Sequence, residues 1–98
     1  MDALKMNLAN TVLLITGGTG SFGHAVLDRF LTTDIREIRI LSRDEKKQDD
    51  MRHAYQKWNP QHADKIKFYI GDVRDYNSIL NAFRGVDYVF HAAALKQV

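Results

Sequence analysis

The sequence has no cysteine, one proline and almost no net charge, with 14 Lys and Arg against 12 Asp and Glu in 98 residues. Without cysteine there is no disulfide, thiolate metal ligand or cysteine nucleophile, and a reducing compartment suits such a chain. A formal charge of +2 leaves no nucleic-acid footprint. The basic residues Arg36, Arg39, Arg43, Lys46 and Lys47 are interleaved with acidic ones and read as a solvated face. The longest apolar run, Val12 to Ile15, is far shorter than the ~20 residues of a membrane span. Residues 1–10 lack the apolar stretch and cleavage site of a signal peptide. A cytoplasmic protein with no membrane or nucleic-acid partner is expected.

Glycine, by contrast, is concentrated between Gly17 and Gly23. The β-rich run Thr11 to Thr16 leads into it and reads as a strand buried on both faces. A helix from Ser21 to Leu31 follows, with Phe22, Ala25, Val26, Phe30 and, less regularly, Leu27 at three- and four-residue spacing. Then come a strand over Glu37 to Leu41 and a charged, helix-prone segment from Asp44 to Trp58 carrying apolar Met51, Ala54, Tyr55 and Trp58, which Pro60 ends. Ile66 to Ile70 reads as a third strand, Tyr76 to Phe83 as a short helix with Ile79, Leu80 and Phe83 inward, and Val86 to Phe90 as a fourth strand.

Strands alternating with helices need right-handed crossovers and give a parallel sheet. The expected fold is α/β, the N-terminal part of a Rossmann-type doubly wound sheet in the order βαβαβαβ. Residues 1–98 would form one nucleotide-binding unit behind a tail of residues 1–10. A doubly wound domain continues past its fourth strand, so a truncated domain is expected.

The glycines admit two spacings, Gly17-x-x-Gly20-x-x-Gly23 and Gly18-x-Gly20-x-x-Gly23. In either, backbone without Cβ atoms turns tightly and approaches a pyrophosphate, while the helix N-terminus favours the anion. Arg43 stands where the chain returns to an adenosine ribose. An acid there serves NAD, whereas arginine and hydroxyl donors serve the 2′-phosphate of NADP. Asp44 keeps NAD open or acts as a helix cap; Ser42, Arg43, Lys46 and Lys47 favour NADP. Asp72 can accept from an adenine amino group and Val73 can cover the ring, Asp75 being the better placed N-cap. His91 and the alanines after it would let a cofactor lie against the backbone. His24, His53, His62 and His91 form no metal-ligand pattern, and Tyr-x-x-x-Lys spacing occurs nowhere. No catalytic residue is therefore expected within the chain.

Four motifs in order, Thr-Gly-Gly-Thr-Gly-Ser-Phe-Gly, Ser-Arg-Asp-Glu-Lys-Lys-Gln, Phe-Tyr-Ile-Gly-Asp-Val-Arg-Asp and His-Ala-Ala-Ala-Leu-Lys-Gln-Val, resemble the polysaccharide-biosynthesis group of the extended short-chain dehydrogenases/reductases. Within it the resemblance is to UDP-N-acetylglucosamine 4,6-dehydratases that invert C5, on the capsule and O-antigen path to UDP-N-acetyl-L-fucosamine. The resemblance implies an NADP site made by Gly17, Thr19, Gly20, Ser21, Phe22 and Gly23 at the diphosphate, and by Ser42, Arg43, Asp44, Glu45, Lys46 and Lys47 at the adenosine end. Asp72 and Val73 would meet the adenine, Ala92 and Ala93 the cofactor, and Lys96 would reach toward UDP-N-acetylglucosamine. The implied chemistry is oxidation at sugar C4, loss of water across C5–C6, return of hydride to C6 and reprotonation that inverts C5. Its catalytic tyrosine/lysine pair would lie downstream, and the whole enzyme would be a homo-oligomer. The alternatives are a pseudaminic-acid pathway dehydratase, a nucleotide-sugar 4-epimerase, and a non-catalytic NADP-binding or oligomerisation module.

Overall fold

In the computed structural model, residues 7–92 are described. The central strand β1, Val12–Thr16, is buried along its whole length. It pairs in parallel with β2, Glu37–Ser42, on one side and with β4, Tyr88–His91, on the other. The strand β3, Ile66–Ile70, pairs with β2, giving the order β3-β2-β1-β4. The chain thus steps outward twice and then returns across β1. Ligands of open α/β sheets bind beyond the strand carboxyl ends where the order reverses in this way.

Period-two alternation sends the side chains of β1 to two different cores. Leu13 and Ile15, with Ile38 and Ile40 of β2, meet Val26, Leu27 and Leu31 of α1, Ser21–Leu31, and Met51 of α2, Glu45–Trp58. On the other face Leu14 and Leu41 meet Ala82 of α3, Tyr76–Phe83. A 3₁₀ turn at Ala63–Lys65 introduces β3.

The expected βαβαβαβ order is present, with local corrections. Leu27 is fully buried in α1 and Ala25 is exposed, because the apolar stripe runs through Gly23, Val26, Leu27 and Leu31. In α3 the inward residues are Ala82 and, partly, Ile79, whereas Leu80 and Phe83 face outward. The fourth strand begins at Tyr88, not Val86. Val86 N donates to Phe83 O at 3.2 Å after Gly85 turns at φ 76°, so Val86 belongs to the reversal. Leu8, placed in the tail by the sequence reading, is 6% exposed and joins the larger core, its N–H donating to Asp34 Oδ1 at 3.0 Å. Among the described residues no helix is long and apolar enough to cross a membrane.

Candidate functional site

Beyond the carboxyl ends of β1, β2 and β3 lies a cleft of about 1140 Å³, bordered by three loops. The first contributes Gly17, Thr19 and Gly20, the second Ser42 to Glu45 with Lys47, and the third Gly71 to Arg74.

The geometry of the first loop gives separate local reasons for glycine at positions 17, 18 and 23. Gly17 has φ 65°, a left-handed conformation open to glycine at little cost, and its N–H donates to Leu41 O at 2.9 Å, pinning the turn to the end of β2. A Cβ on Gly23 would lie 2.5 Å from Gly18 Cα and 2.6 Å from its carbonyl oxygen, so helix and loop pack backbone to backbone only because Gly23 has none. Gly18 is constrained as well, since a Cβ there would lie 2.8 Å from Ile40 Cγ2 and 3.2 Å from Ile15 O, so both spacings are compatible with the turn. Around Gly20 the protein leaves room, for a Cβ there would meet only Gly17 O, at 3.6 Å. Gly20 lines the cleft, so its bare backbone faces the open side. Gly20 is also the N-cap of α1, which has no capping side chain and no acidic residue in its first turn. The free N–H groups and positive dipole end of an 11-residue helix are thus uncompensated beside the cleft, an arrangement suited to a diphosphate.

In the second loop Asp44 is the N-cap of α2, its Oδ1 accepting from Lys47 N at 2.9 Å. One carboxylate oxygen is thereby committed to the helix. Lys47 borders the cleft, whereas Lys46 does not and pairs instead with Asp50 at 3.3 Å. Arg43 is largely exposed and reaches across the opening to Asp72, Nη1 to Oδ2 3.7 Å.

Asp72 of the third loop is held more firmly by Arg74. Its oxygens accept from Arg74 N at 2.9 Å, from Nε at 3.1 and 3.2 Å, and from Nη2 at 2.7 Å. The hydrogen bonds from Arg74 keep the Asp72 carboxyl well below the usual carboxylate range, with a smaller contribution from the charge of Arg43. Val73 is 42% exposed on the cleft wall. Asp75, as its position in the sequence implied, caps α3 by accepting from Asn77 N at 3.2 Å.

Other expected residues lie away from the cleft wall. Ser21 and Phe22 start α1, and Phe22 packs on Phe90 with ring centroids 5.3 Å apart. Ala92 is buried in the larger core. Ala93 and Lys96 fall outside the described residues. At the ends of β1 and β4, Thr16 Oγ1 and His91 Nδ1 share a hydrogen bond. Among the described residues no group of three or more His, Asp or Glu is arranged for a metal ion.

Two contributors were missed. Arg74 lies in the quoted Gly-Asp-Val-Arg-Asp segment, but nothing local says that its guanidinium folds back on Asp72. Gln48 is 1% exposed, with Nε2 donating to Tyr69 O at 2.7 Å and to Ser42 Oγ at 3.0 Å. Its signal was present, since Gln48, Met51 and Tyr55 share one helical stripe.

The family described as polysaccharide biosynthesis protein matches residues 13–98. The chain is 72% identical over 90 residues to a UDP-glucose 4-epimerase of Rickettsia bellii (strain RML369-C) and 70% identical over 90 residues to one of Rickettsia akari (strain Hartford), each alignment covering 88% of this chain and 25% of the relative. The chain thus spans about a quarter of the length of the curated relatives it matches. Among solved structures it resembles Pen from Bacillus thuringiensis, with a TM-score of 0.80 and 34% identity over 95% of this chain and 28% of that one. A short chain dehydrogenase from Bacillus anthracis shares the fold, with a TM-score of 0.66 at 21% identity, over 85% of this chain and 35% of that one. The Rickettsia relatives carry the name of a 4-epimerase rather than a dehydratase, so the resemblance holds at the level of the group. With its glycine turn, parallel sheet and three-loop cleft, the chain belongs to the polysaccharide biosynthesis protein family and is built on the short-chain dehydrogenase fold.

Proposed function

We propose that this chain is the NADP-binding part of a nucleotide-sugar enzyme that begins by oxidising C4 of a UDP-linked sugar. The observation that carries the reading is the glycine turn from Gly17 to Gly23, in which Gly20 presents bare backbone to the cleft. Gly17 to Gly23 and the first amides of α1 would hold the diphosphate. Ser42, Arg43 and Lys47 would surround a 2′-phosphate, and Asp72 and Val73 the adenine. Ala93 would back the nicotinamide half, Ala92 being enclosed in the larger core, and Lys96 would reach toward the sugar nucleotide. Bound NADP would supply reversible hydride transfer at the sugar carbon. The preference over NAD is supported by Asp44, whose carboxylate is engaged in capping α2, and by Ser42 in place of an acid at the end of β2.

The leading reading of the whole protein is a C5-inverting 4,6-dehydratase acting on UDP-N-acetylglucosamine, supported by the four ordered motifs. A 4-epimerase is the second, supported by the name of relatives about 70% identical. Both need the same cofactor cleft and part company only in the downstream groups that handle the C4-keto sugar. NMR of the full-length protein incubated with UDP-N-acetylglucosamine separates them. A new C6 methyl signal with a C4 ketone is the expected result, and C4 epimers with C6 still hydroxylated would replace the dehydratase reading by the epimerase. For the cofactor, Arg43→Ala is expected to weaken NADP+ binding about tenfold more than NAD+ binding, the scale of one charge-assisted hydrogen bond. Equal losses would remove the 2′-phosphate from Arg43.

A further inference from the structure

We infer that Gln48, buried behind the cleft wall, is a positioning residue for cofactor choice: it holds the Ser42 hydroxyl as an outward donor toward a phosphate on the adenosine ribose. The inference rests on the NADP reading above and deepens it.

Gln48 lies one turn into α2 beneath the ends of β2 and β3. Its amide orientation follows from its neighbours. Tyr69 O at 2.7 Å and Ser42 O at 3.5 Å are carbonyl oxygens that can only accept, so the group facing them is the NH₂. With one amide hydrogen on Tyr69 O, the other meets Ser42 Oγ at 3.0 Å. The serine oxygen is then an acceptor on its inner side, and its own proton is left to point elsewhere. Ser42 is half-buried and borders the cleft between Leu41 and Arg43, so the free direction for that proton is the cleft.

A hydroxyl polarised by a donor behind it and offering its proton forward is complementary to a phosphate dianion, which only accepts. A ribose hydroxyl gains less, because its hydrogen bond to Ser42 is not charge-assisted. Gln48 also ties α2 to both strands, so its removal could weaken the fold. A purely structural role would lower affinity for both cofactors alike, whereas a positioning role changes their ratio.

The test uses the full-length protein and its dissociation constants for NADP+ and NAD+. Gln48→Met keeps the volume and removes the donors. It is expected to reduce the preference for NADP+ by about 5- to 10-fold, part of the worth of a hydrogen bond to a charged group, with NAD+ affinity changed less than about twofold. In a Ser42→Ala background the same substitution is expected to leave the preference unchanged. An unaltered ratio in the single variant, or an equal further loss in the Ser42→Ala background, would overturn the inference while leaving the NADP reading intact. A wild-type protein that binds NAD+ as well as NADP+ would instead overturn the NADP reading itself. Glutamine-selective ¹⁵N labelling of the wild type supplies a readout that does not depend on a variant folding. Saturating NADP+ is expected to shift the Gln48 side-chain amide signals, and NAD+ to shift them less. The same shift with both cofactors counts against positioning.

Discussion

On the α1 and α2 side of the sheet, Leu13, Ile15, Ile38 and Ile40 close against Val26, Leu27, Leu31 and Met51 in one continuous core, while on the α3 side the buried apolar cluster among the described residues is Leu14, Leu41 and Ala82. Polar ties make up part of the difference on the second face. The Arg39 guanidinium rises from β2 and donates to Ala82 O at 3.0 Å and Arg84 O at 2.6 Å, satisfying carbonyls at the end of α3, while its Nε pairs with Glu37 at 2.5 Å. Tyr69 covers its flank, 5.6 Å from ring centroid to Cζ. Meanwhile Leu80, Phe83 and Val89 remain 41, 37 and 47% exposed. Hydrophobic contact therefore fastens α1 and α2, whereas α3 depends on a few directional bonds and should open first in local unfolding.

Leu27→Ala puts the contrast under the greatest strain. It empties a fully enclosed site and is expected to cost ~2–5 kcal/mol, while Leu80→Ala on the exposed side of α3 should stay within about 0.5 kcal/mol. Chemical denaturation of both variants measures the gap, and similar losses would erase the distinction between the faces. Gly23→Ala comes next, since its methyl meets backbone that cannot yield cheaply. A loss of ~1–3 kcal/mol with disproportionate weakening of cofactor binding is expected, checked by thermal melts with and without NADP+.

Arg39→Met should cost ~1–3 kcal/mol by stranding helix-end carbonyls, and hydrogen exchange should show faster opening in α3 with α1 unchanged. Acceleration spread evenly over both helices would break the comparison. The smallest effect concerns acid. The Asp72 carboxyl lies below its ordinary 3.8, so its bond to Arg74 contributes fully above that value and is lost as pH falls through the lower, folded-state value. Between about pH 5 and pH 8 this pair is expected to be insensitive to acid, and an NADP+ titration across that range that tracked Asp72 protonation would contradict it.

Much of this was legible in order and spacing. The apolar run Val12–Thr16 followed by glycines announced a buried strand and a turn, and Asp75 was recognisable as the cap of α3. Burial on α3 was less legible, for Ile79, Leu80 and Phe83 are equally apolar and only the packing angle on β3 and β2 decided that Ala82 faces in. Gly17 and Gly18 both suited the turn by composition, but only one carries a left-handed φ.

The cleft returns to the contrast between local and distant information. Strand, turn and helix preferences depend on neighbours within a few positions, and on them the sequence alone determined the alternating architecture, the parallel sheet and the end at which a ligand would lie. The walls of the cleft join loops more than twenty residues apart, near positions 17–20, 42–47 and 71–74. Which polar atoms meet there, Arg74 and Arg43 on Asp72 and Gln48 behind Ser42, was decided by tertiary structure. A hydrogen bond needs its partners within about 3 Å, and only the folded sheet brings those side chains that close.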